Sequence, residues 1–188
     1  MLCAHAMKRP AGRGGLILYL DYDGVLHHEN VLWHPSRGVY LDAPAQYVLF
    51  QHVDLLDAWL EPYPDVRLVL STSWVRTFGF SRAARRLPPR LRARVIGATY
   101  HSQMNRQVFA AIPRGMQVWE DVQRRQPRDW LALDDDVEGW PDECRDKHIR
   151  THLHEGLSAP DVSATFKAKL AELCSLKTPG AQHGHSTP

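Results

Sequence analysis

The stretch LILYLDYDGVLHHE, residues 16–29, decides how the rest of the chain is read. Its uncharged run, Leu16–Leu20, leads straight into two carboxylates, Asp21 and Asp23, followed at once by Gly24. A run without polarity until its last residue is the pattern of a strand covered on both faces, as in a parallel sheet. Acidic residues at the end of such a strand are expensive unless something there uses them. Gly24 gives the chain freedom to turn back with positive φ or a close backbone approach.

Similar runs recur along the chain. VRLVLS (66–71) and DWLALD (129–134) are also apolar until a terminal hydroxyl or carboxylate, and ARVIGA (93–98) and KHIRTHL (147–153) are a shorter strand and an edge strand. Helical patterns lie between them: Pro44–Leu60 with Leu49, Val53, Leu56 and Leu60 in register, Arg82–Leu87 ended by Pro88 and Pro89, Met116–Arg125 before Pro127, and a last helix capped by Ser158. Alternating strands and helices predict an α/β fold, a three-layer, doubly wound parallel sheet. Ligands of such sheets sit beyond the carboxyl ends of the strands. Asp21, Ser71 and Asp134 each fall at such an end, so the three are expected to share one crevice.

That crevice has a definite chemistry. Carboxylates from two strand ends repel each other unless a cation joins them, and oxygen-only ligands suit a hard ion, Mg²⁺ when phosphate is the substrate. The expected ligands are Asp21, with Asp134 or Asp135, and Asp23 is included in the set. Asp21 is placed to attack phosphorus, and Asp23, just past the strand, to protonate the leaving oxygen and then activate water. The Ser71 hydroxyl donates to a phosphoryl oxygen, with Thr72 or Ser73 as substitutes. A cation must offset the transition-state charge. Arg106, Arg114, Arg124 and Arg125 are candidates, and Arg114 at a helix start is chosen. Gly24, Thr72 and Arg76 are expected to contact substrate. Asp136 reads as a loop or cap residue.

Composition sets the outer bounds. The chain has 188 residues, 44% hydrophobic and 23% charged, with a net charge of +2, which fits one soluble domain. Cys3, Cys144 and Cys174 show no metal spacing and read as free thiols of a reducing cytoplasm. No stretch reaches the ~20 apolar residues of a membrane span. Residues 1–14 read as a flexible leader, 15–175 as the domain and 176–188 as a disordered tail.

The order DYDGVL, LVLSTSW, a basic residue, then LALDDD resembles the haloacid dehalogenase (HAD) superfamily of phosphohydrolases. STSW, RVIGAT, WLALDDD and EGLS are similar to the HAD domains associated with bacterial RNA-repair proteins. The resemblance implies a HAD-like Rossmannoid fold, Mg²⁺ as cofactor and an aspartyl-phosphate on Asp21. It assigns acid/base work to Asp23, phosphate binding to Ser71, the basic role to Arg114, and the terminal acids to Asp134 and Asp135. Superfamily cap domains insert after the first or second strand. Here the first insertion is only a short flap, HHENVLWHPSRGVYLDAP, and the second has room for two helix–strand passages, so a capless, open site is expected. An open site suits a phosphate on something large, a nucleic-acid end above all, and argues against small metabolites.

Other features have competing readings. The arginine-rich segment Val75–Val95, with Trp74, Phe78 and Phe80, could hold a phosphate backbone and stack a base, or be a solvated face. His148, His152 and His154 alternate and could share one strand face, as a polar edge or a zinc site. His27 and His28 read as surface histidines of the flap. The functional rivals are a non-catalytic nucleic-acid-binding or interaction module on the same fold, and a phospho-receiver domain.

Overall fold

The structure, a computed structural model, describes residues 10–175. Five strands form one parallel sheet: β1 (Leu16–Leu20), β4 (Val66–Leu70), β5 (Val95–Ala98), β6 (Asp129–Asp134) and β7 (His148–Arg150), in the order β5-β4-β1-β6-β7. The chain winds outward from β1 through β4 to β5, then returns to the other side of β1 for β6 and β7. The order therefore reverses at β1, and the crevice of the fold opens there. All five predicted strands are present, with β5 and β7 shorter than their predicted spans.

Alternation along β1 builds the core. Leu16, Leu18 and Leu20 enter a large apolar cluster with Leu56, Leu91, Phe166 and Leu170. Ile17 and Tyr19 face the opposite cluster with Val118, Val122 and Trp130. The helical partners come from α1 (Val53–Leu60), α4 (Pro89–Arg94) and α7 (Pro160–Ser175) on one face and α6 (Arg114–Arg125) on the other, with Trp130 from the neighbouring β6. Helices on both faces complete three layers, as an apolar strand without alternating polarity requires.

Several helix boundaries differ from prediction. The expected helix from Pro44 begins only at Val53, because Phe50 takes a left-handed φ of 61° and the segment ahead of it is spent on ties. The Phe50 amide donates to His27 Nδ1 (3.3 Å) and the His52 amide to the Leu26 carbonyl (3.0 Å). The arginine-rich segment forms α2 (Ser73–Phe78), α3 (Phe80–Ala84) and α4 instead of one helix. Pro89 opens α4 rather than closing a helix, which its fixed φ and missing N–H allow. A short helix, α5 (Arg106–Ala110), was not expected.

The flap is an antiparallel hairpin, β2 (Val31–His34) with β3 (Gly38–Leu41). Among the described residues no further domain is inserted between β1 and β4 or between β4 and β6, so the fold is capless. The end of the predicted leader is tied to the body, since Arg125 Nη1 donates to the Ala11 carbonyl and the Gly14 amide to that of Gln126. The rest of the leader, and the predicted tail, lie outside the described residues.

Candidate active site at the carboxyl edge of the sheet

The register of the sheet sets up the site. Leu20 pairs with Leu70 on one side and Leu133 on the other. Asp21, Ser71 and Asp134 are each the next residue, so they stand in one row across three adjacent strands. The ladder continues through them: the Asp21 amide donates to the Leu133 carbonyl (3.1 Å) and the Ser71 amide to that of Leu20 (2.9 Å). All three are buried, Asp21 at 4% exposure and Ser71 and Asp134 at 1% each.

Of the four basic candidates, Arg114 alone enters this row. Its Nη2 lies 3.1 Å from Asp21 Oδ2, its Nε 3.4 Å from Asp134 Oδ2, and its Nη1 donates to the Ser71 carbonyl at 2.5 Å. It reaches the row from the first residue of α6, which packs closely on the loop after β6. At Gly115 a Cβ would meet the Trp140 backbone nitrogen at 2.4 Å, so only glycine permits that approach. Arg124 and Arg125 instead pair with Asp121, which also accepts from the Tyr19 hydroxyl. Arg106 is exposed at the start of α5.

Three carboxylates, Asp21, Asp134 and Asp135, bring one oxygen each to within 4.8 Å of one another. Gly24 makes room for this group: its φ is 66°, and a Cβ there would come within 2.5 Å of the Asp135 carboxyl carbon. One guanidinium cannot neutralise two buried acids and a half-buried one. Burial pushes the Asp21 carboxyl up to about 6, against the pull of Arg114 and with the push of Asp23. Burial and then Asp21 raise Asp135 to about 7, and burial with Asp21 holds Asp134 well above the carboxylate range. Burial alone would depress the Arg114 guanidinium, but Asp21 and Asp134 hold it above its ordinary value.

Two buried atoms in this row have no hydrogen-bond partner, Ser71 Oγ and Asp134 Oδ2. The Arg114 contact to Asp134 Oδ2 is within ion-pair reach but does not make a hydrogen bond. Buried polar atoms are rarely left so. An orphaned hydroxyl, an orphaned carboxylate oxygen and an excess of negative charge fit a site for a hard divalent cation with an oxyanion beside it.

Asp23 is not one of the three clustered acids. Its Oδ1 accepts from Trp74 Nε1 (2.7 Å) and His27 Nε2 (3.0 Å), and its Oδ2 from Ser73 Oγ (3.4 Å). Because His27 Nδ1 accepts from the Phe50 amide, the neutral ring carries its proton on Nε2 and donates to Asp23. His27 is fully buried, not a surface residue of the flap, and Trp74 is a core residue at 2% exposure, not a stacking platform. Sequence reasoning missed both roles. The one available signal was spacing: His27 follows Asp23 by four residues across the Gly24 turn.

The remaining candidates divide. Thr72 caps α2 by accepting from the Trp74 amide (3.4 Å), and its hydroxyl also helps hold Asp21 ionised. Arg76 is half-buried one turn into α2. The Asp136 amide bonds to Asp134 Oδ1 and its carboxylate takes the Glu138 amide, the loop role expected of it. His148, His152 and His154 do not share a strand face. His148 stacks on Trp140 and bonds to the Asp134 carbonyl (2.9 Å), whereas His154 stacks on His28. Among the described residues the acid group is the one candidate metal cluster.

A parallel sheet with acids, a hydroxyl and an arginine at its switch point defines a HAD-like, phosphohydrolase-type domain. The family described as "HAD domain in Swiss Army Knife RNA repair proteins" matches residues 17–162, and the chain belongs to it. No match was found among curated proteins or among solved structures. No helix of the described residues is long and apolar enough to cross a membrane.

Proposed function

We propose that this domain is a Mg²⁺-dependent phosphatase that works through an aspartyl-phosphate on Asp21, and that its substrate is the terminal phosphate of a nucleic-acid strand. The observation that carries the reading is the row of Asp21, Ser71 and Asp134 on adjacent strands, with Asp134 Oδ2 and Ser71 Oγ buried and unpartnered. Asp21, Asp134 and Asp135 would hold the ion, which supplies charge neutralisation between the carboxylates and the phosphoryl group.

In the first half-reaction an Asp21 carboxylate oxygen attacks phosphorus, the bond to the leaving oxygen breaks, and Asp23 gives that oxygen a proton. In the second, Asp23 takes a proton from water as the water oxygen attacks the aspartyl-phosphate, releasing phosphate and restoring Asp21. Asp23 Oδ1 is held by two N–H donors, so Oδ2, with only the longer Ser73 contact, is the oxygen that carries the moving proton. Arg114 and the Ser71 hydroxyl face the phosphoryl oxygens as charge develops on them. Gly24 serves the site by admitting Asp135.

The nucleic-acid end is supported by the open, capless site and by the RNA-repair association of the family. The test is phosphate release from an aryl phosphate with and without Mg²⁺, repeated with Asp21→Asn, then a panel of 5′- and 3′-phosphorylated oligonucleotides, phosphopeptides and nucleotides. Release that depends on Mg²⁺ and on Asp21 is expected, with the oligonucleotides the best substrates. Release that survives Asp21→Asn overturns the nucleophile. No release from any member of the panel favours a non-catalytic binding module.

A further inference from the structure

Two arginines of the basic segment are tied to the body of the domain. Arg94 donates to the carbonyls of Leu60, Tyr63 and Val66, and Arg90 pairs with Asp57 and Glu61. Arg76 of that segment and Arg106 beyond it are different. β4 and β5 are neighbours, with Leu70 opposite Ala98, so the segments that leave them start side by side on the active edge. One leads through Ser71 to α2 and Arg76. The other leads through Thr99 and Tyr100 to α5 and Arg106. Tyr100 ties the second segment together, its hydroxyl on the Met104 carbonyl (3.5 Å) and its ring against Phe109 (5.2 Å between centroids).

Arg76 lies within electrostatic reach of both Arg114 and Arg106, and burial and then these two cations depress its guanidinium. Among the described residues neither Arg76 nor Arg106 makes a salt bridge or a side-chain hydrogen bond, whereas Arg114 is neutralised by Asp21 and Asp134. Like charges held together without a counter-charge are unfavourable until an anion arrives, and guanidinium bonds to phosphate are strong and directional. The reacting phosphate is already served by Arg114 and Ser71. Arg76 and Arg106 belong to the helices that follow β4 and β5, beyond Ser71 and Thr99 on that side of the active edge.

We infer that Arg76 and Arg106 form a second anion subsite, which takes the next phosphate of the substrate, one nucleoside away from the phosphate being removed. This deepens the phosphatase reading and rests on it. A phosphopeptide offers no such regularly placed second anion. A nucleic-acid strand does, through its phosphodiester, and so does a nucleoside 3′,5′-bisphosphate.

Two measurements test it. The first compares kcat/KM for a nucleoside monophosphate, a nucleoside 3′,5′-bisphosphate and a dinucleotide with one terminal phosphate. The wild type is expected to favour the substrates with a second phosphate, and Arg76→Gln or Arg106→Gln to cut that preference about tenfold. A dinucleotide preferred over the bisphosphate identifies a strand as the source; equal preference identifies a small bisphosphate. The second needs no turnover. Binding of a fluorescent single-stranded oligonucleotide with a terminal phosphate is followed against salt in the Asp21→Asn background. Each Arg→Gln change should lower the slope of log K against log salt by about 0.7, and Arg76→Lys should keep it. An unchanged preference and an unchanged slope in both Gln variants overturn the subsite. Falling slopes without phosphate release by the wild type defeat the phosphatase reading and leave the subsite standing.

Discussion

The two halves of the active edge are built differently. At the ends of β1 and β6 the functional groups are buried carboxylates, held in the hydrogen-bond ladder of the sheet and pressed against a single arginine. At the ends of β4 and β5, beyond Ser71, they are half-exposed or exposed arginines on short helices with no carboxylate partner. On the proposed reading a small divalent cation would relieve the repulsion in the acidic half and an extended anion that in the basic half. Chemistry and substrate choice would then belong to different strands, and the contrast predicts how each half responds to damage.

The largest effect is expected in the acidic half. Asp21→Asn should lower kcat by about 10⁴-fold or more in a phosphate-release assay, as loss of a nucleophile does, while oligonucleotide binding persists. Next comes Arg114→Met, which leaves Asp21 and Asp134 facing each other without a counter-ion. Breaking a buried ion pair from one side costs about 3 kcal/mol or more. Chemical denaturation in EDTA should show that loss, and millimolar Mg²⁺ should recover part of it. A smaller change should follow Trp74→Phe, which keeps an aromatic ring in the core with some loss of packing and removes one N–H from Asp23. The expected result is about a tenfold loss in kcat with a shifted pH–rate profile and an unaltered salt slope of binding.

The mildest expectation concerns pH. Asp21 and Asp135 titrate near 6 and near 7 in the folded chain, against an ordinary value of 3.8. The folded state therefore holds more protons than the unfolded state between about pH 4 and 7, and stability falls as pH rises through that window. Thermal melts in EDTA should show Tm declining across it. Mg²⁺ competes with the same protons, so it should raise Tm more at pH 7.5 than at pH 5. A Mg²⁺ effect independent of pH would argue against these carboxylates as ligands.

Much of this division was legible in the chain. Leu16–Asp21, Val66–Ser71 and Asp129–Asp134 announce buried strands by lacking polarity until the last residue, and in a parallel sheet that last residue is also the one nearest a ligand. Arg114 was legible as a basic residue at a helix start, although the helix begins at Arg114 itself and not at the predicted Met116. The clamp on Asp23 was not, because it depends on contacts over long stretches of chain: Trp74 comes from the far side of β4, and His27 is oriented by the Phe50 amide. The same tie hides the true start of α1, where helical periodicity from Pro44 loses to a left-handed Phe50. The hairpin β2–β3 escaped notice because its strands are four residues each and mostly half-exposed, with little apolar alternation to read.

The amides of Asp21 and Ser71 extend the central ladder by one rung on each side of β1. In hydrogen exchange they are expected to open with the core, not with the loops around them. On the proposed function, local breathing of the rim would admit or release a strand end without disturbing the reacting groups, and heating should abolish turnover only where the whole sheet comes apart.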